Sequence, residues 1–187
     1  MRAFVAIGLS PEVRAGIAAA IEPLRASGAA VRWLRPESIH LTLQFLGYVS
    51  DDRVPEICTA LADAITPLPP FAMHLEGLGA FPDMRRARVW WIGVRPSRSL
   101  ETVHFAIEDA LGRLGFEPEA RTFHPHLTVA RAMREARRVD AAAVATAAAS
   151  FGYQAPMEVE TVDLMRSDLR RSGAIYTAVQ RFQLIPR

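Results

Sequence analysis

A His-Leu-Thr triplet followed by an aliphatic residue occurs twice, as His40-Leu41-Thr42-Leu43 and His126-Leu127-Thr128-Val129, and it constrains the fold more than any other feature. In an extended strand, residues i and i+2 share a face, so each histidine lies beside its threonine while the leucine packs behind. Composition would give roughly 0.24 His-x-Thr triplets in a chain like this, so a matched pair within two apolar strands is not an accident. Adding 86 to His40 gives His126, and adding 86 to Thr42 gives Thr128. The same offset carries residues 2–9, which read as a buried strand, onto 88–95. It also carries the helix opening at Ser10-Pro11 onto one beginning near Ser97. Strand, helix and motif superpose without a gap, the signature of an internal duplication.

The rest of the chain fits one bilobed domain over residues 1–187. Val13, Ile17, Ile21 and Leu24 recur at helical spacing after Ser10-Pro11-Glu12, a helix-start signal. Residues 31–35 and 39–48 read as strands. Ser50-Asp51-Asp52 is expected to cap a second helix, with Val54, Ile57, Cys58, Leu61 and Ile65 facing the core. Thr66-Pro67-Leu68-Pro69-Pro70 is a short, stiff connector. Strands are expected at 71–79 and 88–94, a helix over 99–114 ended by Gly115, and a strand around His126. An alanine-rich helix over 139–150 and two final strands near 157–166 and 174–185 complete the reading.

Composition excludes more than it identifies. Half the residues are hydrophobic and 22% are charged, enough for a core and too apolar for disorder. No run approaches the roughly 20 apolar residues of a membrane span, and the apolar start lacks a convincing cleavage site, so a cytoplasmic protein is expected. The single cysteine, Cys58, cannot form an internal disulfide or a cysteine-based metal site. All 22 basic residues are arginine. Any phosphate is therefore held by guanidinium forks, backbone amides, hydroxyls or histidines.

Two His-Thr pairs brought together across a cleft suit acid–base phosphoryl transfer. One neutral imidazole takes a proton from an attacking water or hydroxyl, and the other, as imidazolium, protonates the departing oxygen. The threonine hydroxyls can hydrogen-bond the non-bridging oxygens as charge builds. The scheme requires no metal or cofactor, and no His/Asp/Glu cluster such as H-E-x-x-H accompanies the motifs. Symmetry leaves acid and base unassigned.

The chain resembles the two-histidine phosphoesterase superfamily, and within it the RNA 2',3'-cyclic phosphodiesterases historically called 2'-5' RNA ligases. Beyond the two tetrapeptides, the likeness rests on Arg2-Ala3-Phe4-Val5-Ala6-Ile7 and on Arg32-Trp33-Leu34-Arg35-Pro36-Glu37-Ser38-Ile39. It continues through Gln44-Phe45-Leu46-Gly47, Gly77-Leu78-Gly79-Ala80-Phe81-Pro82, Arg88-Val89-Trp90-Trp91-Ile92-Gly93-Val94 and Phe123-His124-Pro125-His126-Leu127-Thr128-Val129-Ala130-Arg131. The resemblance implies a bilobed α+β fold, two pseudo-symmetric antiparallel sheets backed by helices around a central groove. It implies hydrolysis of a terminal RNA 2',3'-cyclic phosphate to a 2'-phosphate, with His40 as proton donor, His126 as proton acceptor, and Thr42 and Thr128 on the phosphate. RNA ends are then the partner, and the protein is expected to act as a monomer away from membranes. Alternatives are a 2'-5' oligonucleotide or small cyclic-nucleotide phosphodiesterase of the same superfamily, or a non-catalytic RNA-end binder.

Other residues are weaker candidates. Arg131, three residues past Thr128, is placed to hold a phosphate. Arg134, Arg137 and Arg138 could follow an RNA backbone, though a solvated charge run is the plainer reading. Phe45 and Phe4 are candidates to stack on a base, with a core role as the plainer reading. His124 shares a strand face with His126, but Pro125 favours a bulge or strand start there. His104 reads as an edge-of-core residue, and His74 as solvent-facing. One of Trp90 and Trp91 must face inward and the other outward.

Overall fold

The computed structural model describes residues 1–26, 31–132, 148, 151–170 and 173–185. The alternating and continuous apolar runs become strands β1 (Arg2–Gly8), β2 (Val31–Trp33), β3 (His40–Tyr48), β4 (Phe71–Phe81), β5 (Val89–Val94), β6 (His126–Ala132), β7 (Gln154–Val159), β8 (Thr161–Arg170) and β9 (Gly173–Gln183). Helices α1 (Pro11–Ala26), α2 (Val54–Ile65) and α3 (Arg98–Gly112) carry the 3.6-residue stripes. Ser10 Oγ accepts from the Val13 N–H at 3.3 Å to start α1, and Ser97 caps α3 in the same way through Leu100. Gly115, at φ 84°, supplies the left-handed residue that closes α3.

The strands form one antiparallel sheet in the order β7-β4-β5-β6-β3-β1-β8-β9, with β2 added on β6. Among the described residues, β3 and β6, the inner strands of the two four-stranded runs, pair with each other only at Leu41 and Leu127. Both leucines are fully buried, and burying each contributes about 1.5–3 kcal/mol. One face of the sheet packs on the helices through Ala3, Val5, Ile7, Leu43, Val129, Val162 and Leu164. The opposite face carries His40, Thr42, His126 and Thr128, because these alternate with Leu41 and Leu127.

Ser50 caps nothing with its side chain; a 3₁₀ turn over Asp51–Arg53 leads into α2 instead. Cys58 is only half-buried, since Ile57, Leu61 and Ile65 form the inward stripe and leave it at the edge. The C-terminal region has three strands, not two. β7 and β8 are separated by Glu160 alone, so their apolar runs merge in the sequence. Yet β7 pairs with β4 in one half and β8 with β1 in the other. Pro156 sits in β7 at the sheet edge, where a missing N–H costs no ladder bond. The alanine-rich stretch 139–150, apart from Ala148, and Arg134, Arg137 and Arg138 lie outside the described residues.

Candidate active site

The single Leu41–Leu127 pair positions the site. In an antiparallel register, the neighbours of that pair bring His40 opposite Thr128 and Thr42 opposite His126. All four side chains are half-buried on the face away from the helices. Each histidine is oriented by the same local device. His40 Nδ1 lies 2.9 Å from the Ser38 carbonyl oxygen, and His126 Nδ1 lies 2.7 Å from that of His124. A carbonyl only accepts, so Nδ1 carries the proton in both rings and Nε2 is the unprotonated nitrogen of the neutral ring.

Aromatic walls hold the rings. Phe4 stacks on His40 at 4.8 Å, and Tyr176 meets it edge-on at 4.9 Å. Phe81 meets His126 edge-on at 5.0 Å, with Trp91 at 6.1 Å. Trp91 is thus the outward member of its pair, while Trp90 is buried in the core. Its indole lies across Gly79, where an added Cβ would come within 2.2 Å of the ring, so β4 needs glycine at that point. His124 also reaches this cluster, 5.2 Å from Trp91 and 6.4 Å from His126.

Bulges bring in two further residues. Ala6 pairs with Thr42 and Val5 with Gln44, so Leu43 is extra. Likewise Trp91 pairs with Thr128 and Trp90 with Ala130, so Val129 is extra. Two consecutive residues turn inward at each bulge, and the next returns to the site face. Those next residues are Phe45, which is 58% exposed, and Arg131, also exposed. They are related by the same offset of 86. Phe45 therefore is not core, whereas Phe4 is buried yet faces the site. Tyr176 and Phe81 also line this face, and nothing local in β9 or β4 marks them in the sequence.

Burial holds both imidazoles below their ordinary titration range in the free protein. Burial pushes His40 down to about 4, against the favourable Ser38 carbonyl, and the nearby Arg131 and His126 charges push the same way. His126 is lowered chiefly by burial, then by the His124 and Arg131 charges, while the His124 carbonyl and Glu119 act to raise it. The ring of His40 is accordingly expected to titrate near pH 4 by NMR, and to move upward when inorganic phosphate is added. A midpoint at 6.5 or above without anion would contradict the burial of this ring. Between pH 6.5 and about 4 the unfolded chain binds a proton that the folded chain does not, so stability falls as pH drops through that window.

The remaining histidines are structural or exposed. His104 is buried, stacked on Phe123 at 3.9 Å, with Nε2 3.4 Å from Glu108. It borders a cavity of about 400 Å³ between α3 and the segment before β6, apart from both His-Thr pairs. His74 is exposed on β4. Among the described residues, no three His, Cys, Asp or Glu side chains gather as a metal site. No described helix is long and apolar enough to cross a membrane.

The chain is similar to proteins of known type. An RNA 2',3'-cyclic phosphodiesterase of Methanothermobacter thermautotrophicus is 32% identical over 184 residues, covering 98% of this chain and 99% of that protein. One from Archaeoglobus fulgidus is 33% identical, covering 98% and 100%. A crystal structure from Thermus thermophilus superposes with a TM-score of 0.81 at 26% identity, covering 98% of each chain. Escherichia coli LigT in complex with 3'-AMP gives 0.77 at 27% identity, covering 99% of this chain and 98% of that one. The family model for LigT-like phosphoesterases matches twice, over residues 7–91 and again over 92–176. The chain belongs to the LigT-like phosphoesterase family.

Proposed function

We propose that the protein is an RNA 2',3'-cyclic phosphodiesterase that opens a terminal cyclic phosphate to a 2'-phosphate by two-histidine acid–base catalysis. The observation that carries it is the paired imidazoles, each with Nδ1 tied to a carbonyl two residues back and Nε2 left for the substrate. The names of the relatives support the substrate class. A water oxygen attacks phosphorus while His126 Nε2 takes its proton. The bond from phosphorus to the 3'-oxygen breaks, and that oxygen receives a proton from His40 Nε2. The product carries a 2'-phosphate and a 3'-hydroxyl. Proton exchange with solvent resets the pair.

The anionic substrate itself supplies the charge that raises the depressed imidazoles toward the working range. Thr42 and Thr128 donate to the non-bridging oxygens, and Arg131 neutralises the charge that grows on them. Phe45, at the position equivalent to Arg131, offers an exposed ring to a base instead. The two bulge residues thereby give a near-symmetric site a direction. The same reading makes residues 1–187 one domain built by internal duplication. The recurrence of strand, helix, bulge and carbonyl-tethered histidine at one offset supports it.

The test is hydrolysis of a short RNA ending in a 2',3'-cyclic phosphate, in excess EDTA, with the product isomer identified. Release of the 2'-phosphate is expected. Release of the 3'-phosphate, or activity only after a divalent ion is restored, would overturn the scheme.

A further inference from the structure

The first half of the sheet carries a second, pre-oriented cation on the site face. Cross-strand pairing lines up Thr42, Ala6, Asp163 and Arg181 on β3, β1, β8 and β9. Directly opposed residues share a face, so Asp163 and Arg181 face the same side as the histidines. Between them and Thr42 stands Ala6, whose side chain is a single methyl group. The Asp163 carboxylate, with a side chain only 7% exposed, accepts from Arg181 Nε at 2.8 Å and from Nη2 at 3.1 Å. That bidentate clasp fixes the plane of the guanidinium while its side chain stays 60% exposed. Its unused donors point to solvent rather than into the protein.

Arg14 approaches the same spot from the start of α1. A Cβ placed on Gly8 would meet Asp163 Oδ2 at 3.8 Å and Arg14 Nη2 at 4.0 Å. Gly8 pairs directly with His40, so two guanidiniums and one carboxylate sit beside the first His-Thr pair. The Nε of Arg14 is buried with no hydrogen-bond partner among the described residues. The local sum is one net positive charge. The reaction scheme, which uses His40, Thr42, His126, Thr128 and Arg131, leaves both of these arginines unassigned. With strands about 4.8 Å apart, a guanidinium held over β8 lies roughly 10 Å from Thr42. A second phosphate on the same strand can span that gap, whereas the cyclic phosphate held between the histidines cannot also reach it.

We infer that Arg181, clasped by Asp163 and flanked by Arg14, binds the internucleotide phosphate on the 5' side of the reacting cyclic phosphate. This rests on the reading of the site as an RNA-end phosphodiesterase and adds a chain-length preference to it. A mononucleoside 2',3'-cyclic phosphate has no such phosphate, whereas a dinucleotide or longer end does. The guanidinium is held in place before substrate arrives, so little ordering cost is incurred on binding.

The experiment compares kcat/KM for a mononucleoside 2',3'-cyclic phosphate with that for a trinucleotide ending in one. The wild type is expected to favour the trinucleotide by tenfold or more, the scale of a charge-assisted contact. Arg181→Gln alone would strand a buried carboxylate, so the principal variant is the neutral pair Asp163→Asn with Arg181→Gln. Its trinucleotide-to-mononucleotide ratio is expected to fall about tenfold, and its rate on the trinucleotide to depend less steeply on salt. Arg166→Gln, on the opposite face of β8 and paired with Asp168, should keep the wild-type ratio. Equal rates on the two lengths in the wild type, or an unchanged ratio in the folded double variant, would overturn the subsite and leave the catalytic reading standing. No turnover of either substrate would instead remove the catalytic reading, and the subsite with it.

Discussion

Replacing His126 with alanine is expected to lower kcat on a cyclic-ended RNA by about 10²–10⁴-fold, the range that a positioned acid or base supplies. His40→Ala is expected to lose activity on the same scale. Both rings are half-buried on the sheet face away from the helices, and neither belongs to the buried hydrophobic core. The loss should therefore appear in kcat with the fold intact by circular dichroism. The double variant should be little worse than either single one, because in the proposed scheme the two imidazoles act in one step. The roles separate with a nucleoside phosphodiester whose leaving group is 4-nitrophenolate, which departs without needing a proton. If His40 is the donor, His40→Ala regains most of its rate on that ester, while His126→Ala stays inactive. Rescue of His126→Ala instead would exchange the two roles. Full activity of either variant on the RNA substrate would remove the two-histidine mechanism.

The two His-Thr pairs were legible in the sequence because strand periodicity alone places His40 beside Thr42 and His126 beside Thr128. The repeat then requires that the two pairs be equivalent. Their meeting depends on one buried leucine pair, Leu41 with Leu127, which the motif also contains. What stayed hidden depends on partner strands distant in sequence. Tyr176 reaches His40 only because β9 pairs with β8 and β8 with β1. The Asp163–Arg181 clasp is a cross-strand contact for the same reason. Phe45 reads as core because strict alternation from Thr42 assigns it to the inner face, and the extra Leu43 reverses that assignment. The division of β7 from β8 was invisible because Glu160 is not a turn-forming residue, and only the separate pairing partners distinguish the two strands.

Arg131 shows the same effect at the position with the most to lose. Counting in twos from Thr128 would put it on the helix-covered face, and the bulge at Val129 and Ala130 returns it to the histidines. Its charge contributes to holding down both His40 and His126, so the guanidinium lies near each ring. A phosphodiester carries one negative charge, and the pentacoordinate transition state carries more. In the proposed scheme a fixed cation there stabilises the transition state more than the bound substrate. Arg131→Gln is accordingly expected to lower kcat by about 10²–10³-fold, or about 2.7–4 kcal/mol, with a smaller change in KM. Removing the charge should also let both imidazoles titrate at higher pH, a shift that NMR can follow in the free protein. Arg131→Lys should recover part of the rate, since the ammonium restores the charge without the planar fork. A rise in KM at constant kcat would make Arg131 a simple substrate anchor. No change in either parameter, with the histidine titrations unmoved, would place it outside the reaction.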